Sequence, residues 1–255
     1  MDLKGNTILV TGGGSGIGRG LAEAFHRAGN QVIVAGRRRE ALQGVTAANP
    51  GMKAVALDVE DAASVRAVAA QLAKDHPKLN VLVNNAGIMR PENLLAQADD
   101  VADAEAIIRT NLIGPIRLTA ALLPLLRRQP RSTIMNVTSG LAFVPLAMTP
   151  TYCATKAALH SYSLSLRWQL RKTTTEVIEL APPYVQTELL GAHQAEDPRA
   201  MPLGEYLAEV MKILESQPGA PEVLVERVKP LRFAADSGKF DATFTGLNQA
   251  MSGEG

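Results

Sequence analysis

Tyr152 and Lys156 stand four residues apart in Thr151-Tyr-Cys-Ala-Thr-Lys156, a spacing that puts both on one helix face, one turn apart. A phenol beside an ammonium is a proton-transfer pair. Free tyrosine titrates near 10, too high for efficient exchange at neutrality, and an adjacent cation favours the phenolate. At about 1.36 kcal/mol per pKa unit, bringing Tyr152 close to neutrality takes roughly 4 kcal/mol. Ser139 lies thirteen residues upstream, just past an apolar run, where its hydroxyl is suited to hold a carbonyl and stabilise charge developing on its oxygen. Much earlier, Thr11-Gly-Gly-Gly-Ser-Gly-Ile-Gly18 follows another short apolar run. Gly12 lets the backbone turn tightly, and Gly16, Ile17 and Gly18 start a helix close to a bound pyrophosphate. Backbone N–H groups, the helix dipole and the Ser15 hydroxyl are its donors.

Each feature has an ordinary counterpart. A glycine-rich turn can be a plain βα connection, Tyr152 and Lys156 chance neighbours on an amphipathic helix, and Ser139 a turn cap in Thr138-Ser139-Gly140. Their order, with the glycine turn closing the first strand and opening a helix, favours a dinucleotide site feeding a proton-transfer pair. Cys153 has no partner base and reads as a small buried side chain. Tyr162 and Trp168 read as packing residues, His160 as a remote second proton carrier, and Asp99, Asp100 and Asp103 as a solvated helix start.

These residues need a frame. Thr7–Val10, Gln31–Ala35, Ala54–Leu57, Val81–Val83, Thr133–Val137 and Val177–Leu180 are mostly continuous apolar runs, the pattern of strands buried on both faces of a parallel sheet. Helical segments fill the gaps: Ile17 to Ala28 ends before Gly29-Asn30, and Asp61 is suited to cap the helix that follows it. This β-α-β-α order predicts an α/β fold, a doubly wound sheet with helices on both faces. Residues 1–255 read as a single domain, and the stretch from Gln186 to Pro221 as a mobile insertion covering the site.

The chain of 255 residues is 46% hydrophobic, with a formal net charge of +1, which allows a full core and gives no preference for nucleic acid or an anionic membrane. No apolar targeting segment opens the sequence, and Pro124 interrupts the apolar stretch from Leu118 to Leu126, so no membrane span is expected. One cysteine and four histidines without ligand spacing point to a cytoplasmic protein without a structural metal.

Beyond the second strand, Gly36 is followed by Arg37-Arg38-Arg39, where folds that prefer NAD place an acidic residue for the ribose 2′-hydroxyl. A solvated charge run is the plain reading, yet cations at a helix N-terminus oppose its dipole by about 0.3–1 kcal/mol each. A cluster that costs stability unless an anion is present favours NADP(H) over NAD(H), with Arg37 first and Arg38 second as partners of a 2′-phosphate.

At this point the chain resembles the short-chain dehydrogenases/reductases, from Thr7 to Thr187. The motifs are Thr11-Gly-x-x-x-Gly-x-Gly18, Asp58-Val59, Asn84-Asn-Ala-Gly87, Asn111, Ser139, Tyr152-x-x-x-Lys156 and Pro182-x-x-Val-x-Thr187. The resemblance implies a Rossmann-type fold, with Asp58 and Val59 at the adenine, Asn85, Ala86 and Gly87 along the cofactor cleft, and Pro182, Val185 and Thr187 at the nicotinamide carboxamide. It further implies that Lys156 binds the nicotinamide ribose, that Asn111 helps position a water linking Lys156 to solvent, and that the helices carrying Asn111 and Tyr152 pair between subunits of a homodimer or homotetramer. Asn111 read by itself could be only a helix-interior amide. Two departures stand out: Pro182-Pro183-Tyr184 where the family often has Pro-Gly, and a tail beyond Val228 without the family's usual glycine pair. With its tail, the chain looks like the branch containing oxidoreductases of the D-alanine teichoic-acid transfer operon.

The expected reaction is hydride transfer between nicotinamide and a carbonyl or secondary alcohol, with Tyr152 as acid in reduction and base in reversal. Segments Ile88–Leu95, Leu141–Met148 and Glu188–Leu214 are rich in Leu, Met and Pro, and Leu141–Met148 carries no charge, so a mostly apolar substrate is expected. Arg90 is either an acidic-group contact or a surface residue. The competing reading is a cofactor-sensing regulatory protein of the same fold, which would bind NADP(H) without turnover and would not need a tuned proton donor.

Overall fold

The computed structural model describes residues 1–96 and 100–252; Asp99 of the expected helix start lies outside them. Its strands are β1 (Thr7–Thr11), β2 (Gln31–Gly36), β3 (Lys53–Ala56), β4 (Leu79–Asn84), β5 (Ser132–Val137), β6 (Thr175–Leu180) and β7 (Glu222–Val223). The helices are α1 (Gly16–Arg27), α2 (Arg39–Ala48), α3 (Ala62–Asp75), α4 (Ala102–Ile108), α5 (Gly114–Leu126), α6 (Pro150–Leu170), α7 (Ala192–Glu196), α8 (Leu203–Ser216), α9 (Lys229–Arg232) and α10 (Phe240–Ser252).

All seven strands pair in parallel, in the order β3-β2-β1-β4-β5-β6-β7. The chain winds outward from β1 in one direction and then from β4 in the other, so the strand order reverses between them. In such sheets ligands bind in the crevice at the carboxyl ends of the strands, at this reversal. Every residue of β1 and β5 is buried, because helices cover both faces, and that is why their sequences do not alternate.

One face packs Leu21 and Phe25 of α1 and Tyr206, Val210 and Leu214 of α8 against Val10, Val34 and Val83. The other packs Leu72 of α3, Leu118, Leu122 and Leu126 of α5 and Leu166 of α6 against Leu9, Leu82 and Ile134. Burying a side chain of this size is worth about 1.5–3 kcal/mol. Asp61 caps α3 by accepting from the Ala63 N–H at 2.8 Å, as its sequence position predicts.

Three differences from the sequence reading have physical causes. The stretch 186–221 is not one covering loop, since its second half is α8, whose Tyr206, Val210 and Leu214 belong to the core. β7 leaves no apolar run in the sequence because it has two residues, one of them the polar Glu222. Trp168 is not a packing residue: it is 66% exposed, with the Arg171 guanidinium 4.0 Å from the centre of its ring. The run 102–126 is long and apolar enough to cross a membrane by composition, and its Leu118, Leu122 and Leu126 are buried against the sheet.

Candidate active site

The carboxyl ends of β1, β4, β5 and β6 open into one cleft of about 1070 Å³. Its glycine turn is shaped by steric necessity. Gly12 and Gly16 have φ of 65° and 53°, a region that disfavours side chains. A Cβ at Gly18 would stand 2.4 Å from the Gly12 carbonyl oxygen and 2.2 Å from Asn85 Nδ2, so the third glycine lets α1 pack directly on the turn. Ser15 is the N-cap of α1 but makes no side-chain cap bond. The first-turn N–H groups of α1 therefore face the cleft beside a backbone without side chains, the cradle an anionic pyrophosphate requires.

Thr11 ties that turn to the end of β4. Its hydroxyl donates to the Val83 carbonyl at 3.2 Å and accepts from the N–H groups of Asn85 at 2.9 Å and Ala86 at 3.0 Å. Asn85 Nδ2 donates to the Thr11 carbonyl at 2.9 Å. Asn85, Ala86 and Gly87 thereby line the cleft next to Gly12. Thr11 opens the glycine motif in sequence, and its hydroxyl closing the apolar run Ile8–Val10 is the signal of this structural role.

Arg37 and Arg38 both line the cleft but point differently. Arg37 pairs with Glu60 at 3.1 Å, whereas Arg38 Nη2 donates to Ser15 Oγ at 2.8 Å and so lies against the glycine turn. Arg38 is also the N-cap of α2 and makes no side-chain cap bond there. Val59 reaches the cleft. Asp58 accepts from the Glu60 N–H at 3.0 Å and shapes the turn after β3, while its neighbours Leu57 and Val59 line the wall.

Two polar ladders fix α6 against the sheet. Asn84 donates to Asn136 at 2.8 Å and Asn136 to Ser163 at 2.9 Å, all buried. Lys156 Nζ donates to the carbonyl of Val137, the last residue of β5, at 2.8 Å. Tyr152, one turn earlier on α6, and Ser139, two residues past β5, then face one another across the cleft wall. The Lys156 ammonium lies 5.5 Å from the centre of the Tyr152 ring. Ser139 Oγ accepts from the Leu141 N–H at 3.1 Å, so it caps its turn and borders the cleft at once.

The electrostatics differ from the expectation of an acidified phenol. Burial raises Tyr152 above its ordinary 10, and the Ser139 hydrogen bond lowers it by less. Burial lowers Lys156 to about 8. Both groups resist charging because both are desolvated. Cys153 is a buried thiol raised by the same cause.

Asn111 does not line the cleft. It sits fully buried behind it, in a π-helical turn, Arg109–Ile113, that joins α4 to α5. Its amide grips the backbone of Ile88 in both directions, at 2.9 Å each, and approaches Thr155 at 3.4 Å. A π-turn inside a helix often marks a functional site. After β6, Pro182, Val185 and Thr187 line the cleft, and Thr187 lies 3.6 Å from where a Cβ of Gly16 would be. Gln194 holds this wall, donating to the Val185 carbonyl at 2.7 Å and to the Thr187 hydroxyl at 3.1 Å; nothing in its exposed-looking sequence context signalled that.

The short chain dehydrogenase family model matches residues 6–198. The chain belongs to the short-chain dehydrogenase/reductase family. It is an oxidoreductase of that family, 40% identical over 97% of its length to the uncharacterized oxidoreductase DltE of Bacillus subtilis (strain 168), of which it covers 98%. Its fold is similar to a short chain dehydrogenase from Burkholderia cenocepacia J2315 in complex with NADP, with a TM-score of 0.81 and 28% identity, covering 96% of this chain and 99% of that one. A 3-ketoacyl-(acyl-carrier-protein) reductase from Brucella melitensis complexed with NADH has a TM-score of 0.76 and 28% identity, covering 86% and 93%. NADP and NADH thus each occur in a solved structure that this chain is similar to.

Arg90 also borders the cleft and pairs with Asp103. His160 packs edge-on to Phe143, with 4.9 Å between ring centres, and its Nδ1 is 2.7 Å from Glu179. Glu179 accepts from Thr138 at 2.7 Å, and Glu222 accepts from Arg232 at 3.0 and 3.1 Å. The ring nitrogen of His160 and carboxylate oxygens of Glu179 and Glu222 come within 4.8 Å of one another, and the two carboxylates are engaged in fastening α6, β6, β7 and α9 together.

Proposed function

We propose that this chain is an NADP(H)-dependent oxidoreductase that transfers a hydride between nicotinamide and a carbonyl or secondary alcohol, with Tyr152 as general acid and base. The observation that carries the reading is the convergence of Ser139, Tyr152 and Lys156 on the cleft that the glycine turn also lines. Gly12, Ser15, Gly16, Ile17 and Gly18 would hold the pyrophosphate, Asp58 and Val59 would border the adenine, and Asn85, Ala86, Gly87, Pro182, Val185 and Thr187 would line the rest of the cofactor site. Arg38, against Ser15, is the first partner for a 2′-phosphate and Arg37 the second.

When bound, a reduced nicotinamide supplies the hydride. Tyr152 gives its proton to the carbonyl oxygen, so C–H and O–H bonds form and a neutral alcohol leaves. Burial keeps the phenol protonated at neutral pH, the state a general acid needs. Ser139 donates to the same oxygen and stabilises the charge that develops there. Lys156, protonated below about 8, stabilises the phenolate left behind. Asn111 takes the family role of ordering a water toward Lys156. In the alcohol-oxidising direction Tyr152 receives the proton.

The side chains around Tyr152 support an apolar substrate: Met89, Leu141, Leu146 and Leu190 gather there. Leu164 and Trp168 are exposed on α6 and support pairing of that helix in a homodimer or homotetramer. A cytoplasmic location fits the single buried cysteine.

A panel of ketones, aldehydes and alcohols assayed with NADPH and NADH tests the reading. Oxidation of NADPH by at least one carbonyl compound is expected, with a higher kcat/KM than NADH gives. Tight NADP(H) binding with no turnover across the panel would favour a cofactor sensor instead.

A further inference from the structure

The tail departs from the family pattern, and its last helix lies across the cleft. The half-buried residues of α10 are Thr243, Phe244, Leu247, Asn248 and Met251, the three-and-four spacing of a single helix face. Leu247 and Met251 line the cleft and pack against the cluster that contains Tyr152, Met89 and Leu146.

The helix is fastened on both banks. On one, Asn248 accepts from the Ala147 N–H at 2.6 Å and donates to the Pro145 carbonyl at 3.2 Å, gripping the loop that follows Ser139. On the other, Arg199 donates to the Ala250 carbonyl at 2.8 Å. Arg199 is itself paired with Asp197, which accepts from the Tyr184 hydroxyl at 3.1 Å, next to Pro182 and Val185. A helix tied to both banks through Asn248 and Ala250, near its C-terminal end, presents the apolar Leu247 and Met251 to whatever lies beside the phenol. Met adapts to irregular hydrocarbon shapes.

We propose that α10 is a specificity-determining strap, in which Leu247 and Met251 hold a hydrocarbon group attached to the reacting carbonyl and Asn248 positions them. The substrate class is then a ketone or aldehyde with an extended apolar chain or ring. This rests on the reductase reading above.

The experiment compares kcat/KM for 2-decanone and 2-butanone with NADPH. Wild type favours 2-decanone by about tenfold or more, the scale on which apolar pockets discriminate. Leu247→Ala with Met251→Ala lowers that ratio by about tenfold, Asn248→Ala lowers it by raising the KM for 2-decanone, and Leu247→Met with Met251→Leu restores it. No residue of α10 is fully buried, so these changes leave the core intact. A wild-type ratio near one, or a ratio unchanged in the Ala variant, overturns the proposal. If wild type reduces neither ketone, the reductase reading fails by itself. Calorimetric titration of 2-decanone into NADP⁺-loaded protein then decides the strap: binding about tenfold weaker in the Ala variant supports it, and equal binding or none to wild type overturns it.

Discussion

Lys156 donates to the carbonyl of Val137 at 2.8 Å, which locks the middle of α6 to the carboxyl end of β5. The same bond sets Tyr152 and Ser139 at a common wall, because each lies within one turn or two residues of a bonded partner. It also buries an ammonium. Below about 8 Lys156 carries its proton, so kcat/KM for carbonyl reduction is expected to be level below that pH and to fall above it. Lys156→Arg moves the falling limb upward. A pH profile of wild type and variant measures both.

The same burial sets a stability prediction. The folded pKa of Lys156 is depressed from 10.5 to about 8, so below about 8 both folded and unfolded chains are protonated and the folded state bears the full cost of the buried charge. That cost is relieved as pH rises from 8 toward 10.5. It amounts to ~3 kcal/mol. Lys156→Met should therefore be inactive yet more stable than wild type at pH 7, with the difference shrinking by pH 10. Urea denaturation at the two pH values checks the sign.

Thr11 accepts from both Asn85 and Ala86 N–H groups. Thr11→Val keeps the shape and leaves both donors without that partner, which costs about 1–3 kcal/mol. The expected result is a lower denaturation midpoint together with weaker NADPH binding, read by fluorescence titration.

The two arginines should separate. Arg38 lies on Ser15 and Arg37 is shared with Glu60, so Arg38→Ala raises the KM for NADPH by about tenfold or more, the worth of a charge-assisted bond to phosphate. Its effect on NADH is small, and Arg37→Ala has the lesser effect on NADPH. Steady-state kinetics with both cofactors measures the pattern.

Much of this was legible in the sequence, for identifiable reasons. Strands covered on both faces leave unbroken apolar runs such as Thr7–Val10, and a turn that tolerates no Cβ leaves glycines at 12, 16 and 18. The relation between Tyr152 and Lys156 follows from helix geometry alone. What spacing does not encode is burial, and burial decides that Tyr152 is raised rather than lowered. Pro202 and Pro218 around α8 and Gly204 in its first turn give that stretch the composition of a loop, although Tyr206, Val210 and Leu214 carry a four-residue period. Nothing in the order of motifs signalled that Arg38 rather than Arg37 meets the glycine turn, or that Leu247 and Met251 return to Tyr152 from the far end of the chain.

The central claim is that Tyr152 is the proton donor. Removing only its hydroxyl tests this most directly: Tyr152→Phe, assayed for turnover of the best carbonyl substrate alongside NADPH titration. The expected result is a kcat loss of about 10²–10⁴-fold with the Kd for NADPH unchanged. Near-normal turnover by the variant would contradict it.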